Sequence, residues 1–228
     1  VEDYAFAECA DVTSLDIGEY IQELGKGVFY NDKGITSVHI PVTLDKAATD
    51  DFFSWKKGSF AETGLKEVTF EEGVTQIAEY LFAGCSSLDK IEIPSTVERI
   101  EAGAFYGCEN IKEFDLPWGL FEIGERAFSE CNGITSFTMK DNVATLGRYA
   151  FEKCTALKSV KFSDSLKKIP VAAFREDAAL EKVILPDHVS VVDDNAFSGC
   201  SSLAGLEAAG LTKIGDGAFL NTGFTELS

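Results

Sequence analysis

The chain has 228 residues and a net charge of −18, with 38 acidic side chains against 20 basic. That balance disfavours nucleic acid and anionic membrane surfaces as partners, because both call for Lys and Arg against phosphate. Hydrophobic residues make up 45% of the chain and charged residues 25%, enough to bury a core, yet no apolar run approaches the roughly 20 residues that span a bilayer.

Ten phenylalanines stand in register: Phe6, Phe29, Phe60, Phe82, Phe105, Phe128, Phe151, Phe174, Phe197 and Phe219. Three residues after each comes Cys9, Asp32, Thr63, Cys85, Cys108, Cys131, Cys154, Asp177, Cys200 or Thr222, mostly 23 residues apart. Self-similarity at such a period is the mark of a solenoid. A clear unit runs from Leu88 through Ile91, Ile93, Pro94, Val97, Ile100, Ala104 and Phe105 to Cys108. Its I-x-I portion has period two and predicts a short strand with alternate side chains buried. Pro41, Pro94, Pro117 and Pro186 follow such strands, where a missing N–H ends a ladder at little cost. The V-x-x-I portion returns along the opposite side. The A-F-x-x-C portion has room for one helical or 3₁₀ turn.

Along the chain, Val1 falls at the position of Ile100, so the chain begins within a repeat; Leu227 and Ser228 end it partway into a strand. The expectation is excision from a longer precursor, or ends that pack on another copy. Phe29 and Phe60 are 31 apart, which places an insertion within residues 47–59 that includes Asp50, Asp51, Phe52, Phe53 and Trp55. Insertions in solenoids map to loops, and loops carry binding. Phe52, Phe53 and Trp55 are therefore either an exposed anchor for a partner or a flap that covers nearby repeats.

On the strands, Glu67, Lys90, Glu92, Glu113 and Asp115 point outward, and Glu92 and Asp115 should be neighbours whose repulsion needs compensation. A basic partner, calcium or Lys90 with solvent would supply it. Trp118 follows in the loop after Pro117, a candidate contact for protein or glycan. Next come a neutral Ser136, Thr138 and Ser159 patch, then Lys161, Lys182 and an outward Ile184. The expected architecture is an α/β repeat solenoid of about ten repeats spanning 1–228 as one domain. Parallel strands line its concave face, short turns or short strands its convex side, and its length is roughly 45–50 Å at the spacing of sheet strands.

Column logic predicts buried, reduced thiols, since Cys9 and Cys200 have no cysteine in reach and in-register Cβ atoms lie too far apart to bridge. Asp32, Thr63, Asp177 and Thr222 should satisfy backbone groups in the same turn. The spacings offer no thiol metal site, and His39 and His188 are too many repeats apart to share a catalytic centre. No cofactor is expected.

Residues 83–108, AGCSSLDKIEIPSTVERIEAGAFYGC, resemble the repeat of BspA-like bacterial surface proteins, a right-handed leucine-rich repeat variety also described from treponemes. The resemblance covers essentially the whole chain. It implies an exported, secreted or cell-surface bacterial protein, non-catalytic, with adhesion to extracellular host matrix or surface proteins in some members. Glycan is the second choice of ligand. The alternative is a structural spacer that holds other domains away from the cell.

Overall fold

The structure, a computed structural model, describes residues 1–13, 15–47 and 58–225. The two alternating segments of each repeat form two sets of strands, and every pairing is parallel. The I-x-I set comprises β2 (Ser37–Ile40), β4 (Glu67–Phe70), β8 (Ser136–Thr138), β10 (Ser159–Lys161), β12 (Lys182–Ile184) and β14 (Gly205–Glu207). β2 pairs with β4, and β8, β10, β12 and β14 lie in order. Register is as the periodicity requires: Ser159 lies opposite Ser136 and Lys182, and Ile184 opposite Glu207. Period-two burial follows, with Val38, Val68, Phe137 and Val183 inside.

The V-x-x-I set forms strands too. β1 (Glu23–Leu24) pairs with β3 (Lys46–Ala47). β5 (Gln76–Ile77), β6 (Arg99–Ile100), β7 (Glu122–Ile123) and β9 (Thr145–Leu146) form one sheet; β11 (Lys168–Ile169), β13 (Val191–Val192) and β15 (Lys213–Ile214) form another. The break between β9 and β11 has a local cause. In neighbouring repeats the residue after the strand donates its N–H to the preceding repeat, as Gly124 does to Ile100, Gly147 to Ile123 and Asp193 to Ile169. Pro170 occupies that place and has no N–H.

The expected helical turn is absent, and the α/β class is corrected to a β-solenoid: among the described residues no helix occurs. The A-F-x-x-C segment is bracketed by residues in the left-handed region. Two before the phenylalanine these include Tyr80 (φ 51), Gly103 (φ 59), Arg126 (φ 55) and Tyr149 (φ 59); two after it come Glu62, Gly84, Gly107, Glu130 and Lys153. A left-handed residue on each side stops any helix from propagating. It turns alternate N–H groups toward the next repeat instead. Tyr80, Phe82 and Gly84 donate to the carbonyls of Ala102, Ala104 and Tyr106, while Leu81, Ala83 and Cys85 donate three residues back. The turn is thus a third hydrogen-bonded side.

Inside, the ten phenylalanines form one continuous pile. Successive centroids lie 5.2–6.1 Å apart with interplanar angles of 2–22°. Phe60 through Phe197 in this column are fully buried, each contributing about 1.5–3 kcal/mol from burial. Phe114 and Phe137 meet the pile edge-on, Phe114 at 4.7 Å from Phe128 and Phe137 at 4.5 Å from Phe151.

Candidate interaction surface

The outward side chains of the I-x-I face are exposed as their alternation requires, Glu67, Lys90, Glu92, Glu113 and Asp115 among them. The expected ladder beneath them is not continuous. Residues 90–93 and 113–116 belong to no strand, so Glu92 and Asp115 are not paired residues of a sheet. Within the second segment Phe114 lies 5.1 Å from Phe105 and 4.7 Å from Phe128 in the pile.

The chain's own lysines supply the countercharge. Lys90 Nζ lies 2.6 Å from Glu92 Oε1 and Lys140 Nζ lies 3.2 Å from Asp115 Oδ1. The Lys90 hydrogen bond holds the Glu92 carboxyl below its usual range and raises the ammonium in turn. Both groups are fully exposed, so the pair adds little to stability. Among the described residues no group of three or more His, Cys, Asp or Glu is arranged to hold a metal ion.

Farther along, Lys182 donates to Glu207, its stem passing 3.2 Å from where a Cβ on Gly205 would sit. Lys161 approaches Asp141 only to 3.9 Å. Ile184 is 52% exposed between them. Along the axis the face therefore runs from acidic, through the Ser136, Thr138 and Ser159 strip, to a mixed basic and apolar stretch. Trp118 stands at its edge, 66% exposed, with Lys140 Nζ 5.1 Å from its ring centroid. Phe52, Phe53 and Trp55 lie outside the described residues. His39 Nδ1 lies 3.0 Å from Thr69 Oγ1 on the same face, and His188 lies in the loop after β12.

The thiol column lies on the inner side of the turns. Cys85, Cys108, Cys131, Cys154 and Cys200 are buried free thiols, each donating to the phenylalanine carbonyl of the preceding repeat, as Cys131 Sγ does to Phe105 O at 3.1 Å. Burial pushes all five well above the ordinary thiol range, away from the thiolate form that reacts. The substitutes are uneven. Thr63 and Thr222 hydroxyls bond their own repeat's phenylalanine carbonyl at 2.8 and 2.9 Å, and Asp177 Oδ1 accepts the Cys154 N–H at 2.8 Å. Asp32 is enclosed in the same column, its carboxyl raised by burial and drawn back by a hydrogen bond from the Cys9 backbone N–H.

Sequence reasoning missed a buried charge cluster on the outside of the turns. Glu152, 3% exposed, accepts from both Arg126 and Arg175, and the Arg126 guanidinium lies 4.0 Å from the Tyr149 ring centroid. The signal was present in the column two before each phenylalanine. Tyr80, Arg126 and Tyr149 stand there where Gly27, Gly58, Gly103 and Gly217 do in other repeats. At Gly103 a Cβ would meet the Tyr80 ring at 2.0 Å, so large and absent side chains complement each other along the axis.

A family model described as "BspA type Leucine rich repeat region (6 copies)" matches residues 1–132, 53–180 and 122–228. Among solved structures, a leucine-rich repeat protein from Treponema pallidum is 25% identical with a TM-score of 0.53, over 81% of this chain and 75% of that one. A leucine-rich repeat protein from Eubacterium ventriosum is 19% identical with a TM-score of 0.55, over 91% and 82% respectively. No curated protein sequence matches the chain significantly.

Proposed function

Because the chain belongs to the BspA-type leucine-rich repeat family, we propose that it is a non-catalytic binding module of an exported, cell-surface or secreted bacterial protein, and that it recognises an extracellular protein through its I-x-I face. The observation that carries this is the change of chemistry along a face whose side chains rise from a fixed stack. Acidic residues at Glu67–Asp115 give way to Ser136, Thr138 and Ser159 and then to Lys161, Lys182 and Ile184. Patterned charge on a rigid support favours one orientation of a partner over others. The residues 52–55 add a candidate anchor, since aromatic side chains dominate binding energy at interfaces.

The spacer alternative draws on a different observation, the uniform pile of ten phenylalanines. The test is capture of extracellular host proteins on the immobilised chain, alongside a variant with Phe52→Ala, Phe53→Ala and Trp55→Ala and another with Lys161→Glu and Lys182→Glu. A partner held by the parent and lost by either folded variant is the expected result and assigns the site. Capture of none by the parent favours the spacer.

A further inference from the structure

The turn from Pro117 to Phe121 presents two large apolar side chains to solvent, Trp118 at 66% and Phe121 at 40% exposure, on either side of the buried Leu120. Equivalent loop positions in other repeats hold Ser95, Asp141, Asp164 and Asp187, so the core has no need of an indole here. The loop has its own contacts across repeats. Asn142 Nδ2 donates to the Trp118 carbonyl at 2.8 Å, and Lys140 reaches from the next repeat to lie over the ring while pairing with Asp115. The protein thus holds one of its own cations between an indole and a carboxylate, two groups that attract positive charge in the same sense. Lys140 is largely covered, with 22% of its side chain exposed, whereas Asp115 is 96% exposed and has capacity for a second donor.

The surroundings extend that preference. Phe121 donates its N–H to the carbonyl of Glu98, and Asp141 occupies the position of Trp118 one repeat later. Residues 89–125 contain nine Asp and Glu against three Lys and Arg. Of those three, Lys90 is engaged by Glu92 and Arg99 by Glu101 and Gln76. A partner carrying carboxylates would be repelled. One carrying a planar cation beside an apolar side chain would find an aromatic surface, a second aromatic three residues on, and several carboxylates.

We propose that the Trp118–Phe121 corner is the docking site for an arginine-bearing extended segment of a partner protein. The guanidinium pairs with the exposed carboxylate of Asp115 beside Lys140 and lies against the part of the indole that Lys140 leaves exposed, and an adjacent apolar side chain covers Phe121. This deepens the protein-binding reading, and rests on it, by naming the chemistry of the partner and a place for it.

The experiment uses the full chain with Trp55→Phe, which leaves Trp118 as the single tryptophan. The probes are a short peptide of repeating Arg–Ser–Leu, its Glu–Ser–Leu counterpart and a neutral β-glucan oligosaccharide. Expected are a saturable change in Trp118 emission with the arginine peptide only, and an affinity that falls as salt is raised from about 0.05 to about 0.5 M. Calorimetry on the Trp118→Ala chain should show affinity lower by about tenfold or more, the scale of an interface anchor, with Lys213→Ala, an exposed lysine on the other set of strands, unchanged. Trp118→Tyr keeps an aromatic face and should retain most of the binding, which separates loss of the ring from loss of fold. No saturation with the arginine peptide, equal binding of the glutamate peptide, saturation by the oligosaccharide alone, or full binding by Trp118→Ala each overturns the proposal. The protein-binding reading fails separately, through the capture experiment: a chain that captures a partner yet ignores the arginine peptide loses only this inference.

Discussion

At the scale of single residues, the largest unexploited energies lie in buried charge. Asp177 replaces a thiol in the column, completely enclosed, with Oδ1 bonded to the Cys154 N–H and Oδ2 without a partner. Burial pushes its carboxyl well above the ordinary range, with Glu152 adding to the rise and the Cys154 N–H opposing it. A carboxyl raised on folding stabilises most below its unfolded value and loses that contribution as pH climbs toward the folded one. Thermal midpoints should therefore fall from about pH 4 upward in the parent and fall less in Asp177→Asn. At pH 8 the variant should be the more stable, by about 1–3 kcal/mol. A difference between the two that does not grow with pH would show that ionisation is not the cost. Glu152 is the opposite case, since removing it takes from the buried Arg126 a carboxylate paired directly with it, with Glu125 at 3.9 Å. Urea titration of Glu152→Ala should show a loss of about 3–5 kcal/mol. The thiols give a third expectation. One thiol per chain, Cys9, should react in the native state and six after denaturation.

At the scale of elements, the aromatic column was legible because a side chain that stacks on its own copy must recur in register, and ten did. Phe151→Ala, in mid-pile, should cost about 3–5 kcal/mol. Phe6→Ala, half exposed at one end, should cost less than about 1 kcal/mol; equal losses would mean the pile is not what the repeats share. The helical turn was misjudged because apolar spacing says nothing about φ. Gly27, Gly84, Gly103, Gly107 and Gly199 at its two flanks were the available sign, diluted by Tyr, Arg, Glu and Lys held in the same conformation by the hydrogen bonds to the next repeat. Likewise Pro170 was readable as a chain breaker, but only the structure shows that its position carries the donor that joins β9 to β11. The candidate surface was legible to the same extent. Alternation told which side chains face out, whereas the pairing of Asp115 with Lys140 joins different columns and needs coordinates.

At the scale of the whole molecule, charge is segregated along the axis. Residues 62–130 hold fifteen Asp and Glu against five Lys and Arg, whereas 140–182 hold six against nine. Such separation steers an approaching partner into one orientation and weakens with salt. It does not by itself make a metal site. With Lys90 and Lys140 already seated against Glu92 and Asp115, a calorimetric calcium titration should give no binding heat, and a saturable exotherm would reinstate the acidic stretch as a cation site.

Successive phenylalanines are 31 residues apart at Phe29–Phe60, 22 at Phe60–Phe82 and Phe197–Phe219, and 23 elsewhere. The ring spacing nevertheless stays between 5.2 and 6.1 Å throughout. Length is therefore decoupled from position: a corner can gain or lose residues without shifting anything above or below it. For a lineage under pressure to vary what it displays, that arrangement makes insertions and deletions as admissible as substitutions. For a designer it marks the corners, rather than the strands, as the places where foreign loops can be grafted and screened.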